Sequence, residues 1–307
     1  MRGSLRVLDV LTRDPGGPDE QTLEGVWQSY QRERSSGASP FAAAVLAAFA
    51  SDRLGFAFAA GYAAALEHLV GGPHLPAALC VTEVGGNGPR AIETRLEARG
   101  TGYRLTGAKT FVTFGRHATR LIVAARAGEK PDGTPDLKAV QIPAARDGVA
   151  LEDLPEIAFV PEVPHARVCF QQVEVHEDEI LPGDGYLGYV KPFRTIEDIH
   201  VLGATLGYLV GAARRNEGSS VLIARMTEKL LCLEPLLGGD PLDPRVHVAL
   251  HGAHTGVMEL LKTEAFAHLL ESLPDDERCR WERDKPLLVV ASSAREKRFE
   301  RAQQALL

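Results

Sequence analysis

The sequence predicts an α+β protein in three segments: an N-terminal helical domain over 1–78, a central antiparallel β-barrel over 79–185, and a C-terminal helical bundle over 186–307. Three observations carry this. Residues 41–70 are dense in Ala, Leu and Phe, the pattern turns to short alternating runs over 79–182, and helical spacing returns from about Lys191. Glycine and proline mark both changes, at Gly71-Gly72 with Pro73 and Pro76 and again at Pro182-Gly183-Asp184-Gly185, where helices stop and turns form.

In the first segment, 41–70 predicts two packed helices, with Ser51-Asp52 as the N-cap between them. In the second, Tyr103-Arg104-Leu105, Leu121-Ile122-Val123 and Val168-Cys169-Phe170 read as short strands separated by Gly, Asp and Pro turns. In the third, helices are expected over 196–210, 221–237, 246–270 and 287–306. Arg295, Lys297, Arg298 and Arg301 on the last of these read as a solvated face.

With 45% hydrophobic residues, 307 positions suffice for one large core or two to three smaller ones. A formal net charge of -7 with no broad basic patch argues against a nucleic-acid partner. The first ten residues lack a signal-peptide core, and no later run reaches the ~20 apolar residues of a bilayer span, so a cytoplasmic protein with no membrane partner is expected. Cys80, Cys169, Cys232 and Cys279 are far apart and form no CxxC, which predicts free, buried thiols.

Cys80-Val81-Thr82-Glu83-Val84-Gly85-Gly86-Asn87-Gly88 places a strand end before a glycine-rich loop whose backbone N–H groups can approach a polar ligand; a tight turn between strands explains the same glycines. It is neither GxGxxG opening a helix nor a Walker loop. His247, His251 and His254 fall at i, i+4 and i+7 on one helix face, the spacing of a metal site or of a histidine stripe at a helix interface. No acidic ligand stands between them, and no metal is expected.

The loop, together with Tyr103-Arg104-Leu105-Thr106-Gly107-Ala108-Lys109-Thr110-Phe111-Val112-Thr113, resembles the acyl-CoA dehydrogenase family. There the two pieces read roughly TEPGAGSD and Y-x-L-N-G-x-K-x-W-I-T-N. The chain keeps the Tyr, Leu, Gly, Lys and Thr of the second and has Phe111 at the aromatic position. Val168-x-Phe170-x-x-Val173-x-Val175, followed by Leu181-Pro182-Gly183, matches the end of the same domain. The resemblance covers the barrel well and the flanks loosely.

It implies an FAD-dependent oxidoreductase of fatty acid metabolism that desaturates an acyl-CoA or acyl-carrier thioester and passes electrons to an acceptor. The positions implied for the cofactor are Val81, Thr82, Gly88, Phe111, Val112 and Thr113. Two departures weigh for a flavin-free paralogue: the family's Ser is Gly88, and the family's R-x-x-F-G segment, which reaches the flavin diphosphate, has no counterpart.

Desaturation requires a carboxylate to take the α-proton. The chain has no C-terminal Tyr-Glu-Gly-Thr, but Arg194-Thr195-Ile196-Glu197-Asp198 before Leu206-Gly207 resembles the stretch that carries the base in a minority of the family. Glu197 is therefore the candidate base, against the reading of a helix-start glutamate paired with Arg194. Asp198, at the family's Arg position, is expected to repel a second carboxylate. A homodimer or homotetramer is expected from the Leu, Val and Ala spread over more than one face of the last helices.

Overall fold

The computed structural model describes residues 6–15, 22–72, 76–216 and 218–306. Among these residues a 3₁₀ helix at Arg6–Leu11 is followed by three α-helices: α1 (Leu23–Ser35), α2 (Pro40–Phe49) and α3 (Leu54–Val70). Seven strands follow: β1 (Ala77–Cys80), β2 (Arg95–Arg99), β3 (Gly102–Thr113), β4 (Arg120–Glu129), β5 (Pro135–Pro143), β6 (Val149–Asp153) and β7 (His165–Val175). Then come α4 (Lys191–Arg215), α5 (Ser220–Leu233), α6 (Pro244–Leu260), α7 (Glu264–Ser272), α8 (Asp275–Asp284) and α9 (Ser292–Leu306). The chain divides into two compact units, one of residues 1–68, 158–162 and 195–307, the other of 69–157 and 163–194.

In the helical unit, α2 is apolar on every face and buried from Phe41 to Phe49, as a helix inside a larger core must be. Pro40 stands at its first position and Ser39 accepts the Ala42 N–H at 3.1 Å, which together fix where it begins. The expected cap at Ser51-Asp52 does not form. Ser51 Oγ donates back to the Ala47 carbonyl, and the Asp52 carboxylate is drawn into ion pairs with Arg53 at 2.7 Å and Arg280 at 3.1 Å, which hold it more strongly than a neutral N–H would. Helix α1 is absent from the expectations because only Val26, Trp27, Ser29 and Tyr30 of its thirteen residues are buried, too few apolar positions for a period to show.

Helix α4 packs on α2 through glycines at i, i+4 and i+8. A Cβ at Gly203 would lie 2.3 Å from the Phe41 ring, at Gly207 2.4 Å from the Val45 carbonyl oxygen, and at Gly211 2.0 Å from that of Phe49. The Leu206-Gly207 pair therefore has a packing reason of its own. Gly207→Ala is expected to cost about 1–3 kcal/mol, the range for overfilling a packed core, as a lowered urea midpoint with an unchanged m-value.

The second unit is one seven-stranded sheet ordered β1-β4-β2-β3-β7-β6, with β5 on the other edge of β4. Most neighbours are antiparallel as expected, but β4 runs parallel both to β1, from Ala77 opposite Arg120 to Cys80 opposite Val123, and to β2, where Arg95 is opposite Arg126. The parallel β1–β4 pair arises because the β2–β3 hairpin intervenes before the chain returns as β4. One edge of β4 is shared between β1 and β2, the latter joined by the Arg126 N–H donating to the Thr94 carbonyl at 2.7 Å. Alternate residues supply the core of this unit: Leu121, Val123 and Ala125 of β4, Val140 and Ile142 of β5, and Val168, Phe170, Val173 and Val175 of β7. The break in that alternation after Phe170 falls at Gln172, whose φ is 51°, opposite a register shift between Leu105 and Gly107.

Candidate functional site

The glycine-rich segment is a tight turn. Glu83 and Gly86 exchange both backbone hydrogen bonds at 2.9 Å, leaving Val84 and Gly85 at the tip. The carboxylate of Glu83 turns inward, away from that tip. It accepts Lys109 Nζ at 2.6 Å, the Glu93 and Thr94 N–H groups at 2.9 and 3.1 Å, and Thr94 Oγ1 at 2.8 Å. Lys109 is wholly buried and also donates to the carbonyls of Ala124 at 2.7 Å and Val81 at 3.4 Å. Burial pushes the Glu83 pKa up, but Lys109 and the surrounding donors outweigh it and hold the carboxyl below its usual range. Burial lowers that of Lys109, offset in part by Glu83.

This pair ties the two sequence motifs together. Gly107 belongs to the same arrangement: with φ at 152°, its Cα passes so close to the residue before β2 that a Cβ would sit 2.6 Å from Thr94 Cα, and Thr94 is itself a donor to Glu83. The sequence offered Glu83 only as part of a loop. The signal that could have paired it was the lone acid of the first motif and the lysine of the second, since a buried charge demands a partner.

Beyond Lys109 the ladder slips. Lys109 is opposite Val168 and Val112 opposite Ala166, so Thr110 and Phe111 bulge against the single Arg167. The Thr110 N–H donates to the Thr82 carbonyl at 2.8 Å, which ties the end of the first motif to the bulge. Phe111 is 44% exposed and stacks on His165, ring centroids 4.1 Å apart and planes at 27°. Thr113 follows, half-buried opposite His165, and Phe114 leaves the strand with a left-handed φ of 59°. An exposed aromatic ring on a bulge beside a strained residue is the kind of place where ligands are held.

The predicted cofactor positions thus divide. Thr82, Phe111 and Thr113 gather at the bulge with accessible surface, whereas the side chains of Val81 and Val112 are buried in core clusters and leave only their backbone for a ligand. Gly88 precedes a short 3₁₀ turn with φ at −75°, and a Cβ there would meet nothing within 4 Å. Glycine is not required by the backbone at that position, and a serine would fit.

Glu197 lies half-buried on α4, in the helical unit. Its neighbour Asp198 does not stand as an uncompensated charge: Arg295 pairs with it at 3.2 Å and Arg298 closes on its other oxygen. This corrects the reading of the α9 cations. Arg295 and Arg298, three residues apart on one face, turn toward α4, while Lys297 and Arg301 remain exposed.

Of the three histidines, His247 hydrogen-bonds the Pro241 carbonyl at 2.8 Å, His251 stacks on Phe299 at 3.7 Å, and burial brings the pKa of His254 down to about 4. Among the described residues no group of His, Cys, Asp or Glu is arranged to hold a metal. Cys80 is buried, its thiol pushed up to about 12, and Cys169 is half-buried; Cys232 and Cys279 are exposed, contrary to expectation, because they face outward on α5 and α8. No described helix is long and apolar enough to cross a membrane.

Helices before and after a curled sheet, with an exposed aromatic at the end of the longest strand, define a fold of the acyl-CoA dehydrogenase class. Residues 78–173 match the family model described as acyl-CoA dehydrogenase, middle domain. Butyryl-CoA dehydrogenase from Megasphaera elsdenii superposes with a TM-score of 0.65 at 16% identity, over 99% of this chain and 94% of that one. Glutaryl-CoA dehydrogenase from Mycobacterium smegmatis gives 0.66 at 14% identity, over 99% and 94%. An acyl-CoA dehydrogenase from Geobacillus kaustophilus gives 0.64 at 14%, over 97% and 96%. At these identities the likeness is one of fold. No curated protein matches the sequence.

Proposed function

We propose that the chain is a flavin-dependent dehydrogenase that introduces an α,β double bond into an acyl-CoA or acyl-carrier thioester, with FAD as its cofactor and an electron-transfer protein as acceptor. The observation that carries the reading is the exposed Phe111 ring at the bulge, backed by His165 and flanked by Thr113 and the Thr82 strand end. These residues suit the isoalloxazine end of a flavin: a flat apolar ring to stack against, a hydroxyl at Thr113, and backbone groups at a bulge left out of the regular ladder. When bound, the flavin supplies the hydride acceptor. The chain's own part is to orient the ring system at Phe111 and Thr113, and to take the α-proton at the Glu197 carboxylate.

The proposal extends to three functional segments at 1–78, 79–185 and 186–307, and to a homodimer or homotetramer in the cytoplasm. A second reading, a flavin-free paralogue serving as a subunit or binding partner, is favoured by one observation. Gly88 has open space where the family's serine would fit, so nothing in the backbone required its loss. The visible spectrum of the purified protein separates the two. A yellow protein that releases flavin on denaturation is expected; a colourless one that takes up no added FAD supports the paralogue.

A further inference from the structure

His165 opens β7 directly opposite Thr113, with 8% of its surface exposed. Its backbone is pinned on both sides. The Phe114 N–H donates to the Pro164 carbonyl at 2.8 Å, and the Leu154 N–H donates to that of His165 at 2.9 Å. Phe111 is placed differently: it sits in the bulge, where the ladder does not dictate its direction, and 44% of its surface is open. The stack between the two rings, at 4.1 Å and 27°, covers one face of Phe111 and selects an orientation that leaves the other outward. Burial brings the His165 pKa down to about 4, so the ring behind Phe111 is uncharged at neutral pH.

The geometry points to His165 as the positioning residue of this platform: from a fixed place on β7 it holds the Phe111 ring in the pose that presents its open face to a flavin. The inference rests on the flavin reading of the site. His165 acts through Phe111 and needs no contact with the cofactor itself.

The test is a titration of flavin-free protein with FAD, followed by quenching of FAD fluorescence, with circular dichroism in the visible flavin bands as a second readout. His165→Ala is expected to weaken FAD binding about 2- to 12-fold, the worth of one aromatic pair, and to change the flavin dichroism. His165→Phe, which keeps a flat ring and removes the nitrogens, restores both. In a Phe111→Ala background, His165→Ala produces no further loss. The assignment is overturned if His165→Ala binds FAD like the parent, if His165→Phe is as weak as His165→Ala, or if the alanine loss is undiminished without Phe111. A parent chain that binds no FAD overturns the flavin reading itself, and this inference with it.

Discussion

Replacing Lys109 by methionine is expected to lower stability by about 3–5 kcal/mol, the cost of breaking a buried ion pair by removing one partner. The loss is large because Glu83 would keep its buried charge, with only the Glu93 and Thr94 donors left to it. Glu83→Gln strands the ammonium in the same way and should fall in the same range. Arg116→Ala provides the contrast: its pair with Asp153 spans 2.6 Å, but both side chains are more than half exposed, at 56% and 55%, so less than about 1 kcal/mol is expected. Urea unfolding of the three variants measures the difference. Equal midpoints for Lys109→Met and Arg116→Ala would mean that the buried pair contributes no more than a surface one.

The pH dependence follows from the sign of the Glu83 shift. Its folded pKa is depressed, so its stabilisation is fully present above the unfolded carboxyl value, about 4.3. It is lost as pH falls through the lower folded value. The gap between parent and Glu83→Gln should therefore stay constant from neutral pH down to about 5 and close only below about 4.

The change from helical to alternating spacing and back was legible in the sequence because it depends on which residues face a core, and period alone reveals that. The parallel β1–β4 pair was not, since strand direction depends on how the chain returns after the β2–β3 hairpin, and the apolar residues of β1 look the same in either direction. Helix α8 was missed for the opposite reason. It is nearly all charged, and Glu277, Trp281 and Asp284 are its only buried residues.

At the site, the motif positions were legible, but their division of labour was not. The spacing could not show that Glu83 and Lys109 serve each other inside the sheet, nor that Phe111 needs a ring from β7, 54 positions on, behind it. Asp198 was read alone, and its partners Arg295 and Arg298 lie about a hundred residues away, beyond the reach of any local pattern.

Glu197→Gln is expected to slow reduction of bound flavin by a saturated acyl thioester by about 10²–10⁴-fold, with flavin content unchanged. The amide keeps the shape of the carboxyl but cannot accept a proton. Glu83 is committed to Lys109 and Asp198 to two arginines, and the proposal of Glu197 as the base rests on its place in the Arg194–Asp198 stretch before Leu206-Gly207. The deciding measurement is anaerobic mixing of FAD-loaded parent and Glu197→Gln with short, medium and branched saturated acyl-CoA thioesters, following the visible flavin band. The account predicts that at least one thioester bleaches the parent and leaves the variant yellow over the same interval. A parent whose flavin is bleached by dithionite but by none of the thioesters, or a variant bleached at the parent rate, would contradict it.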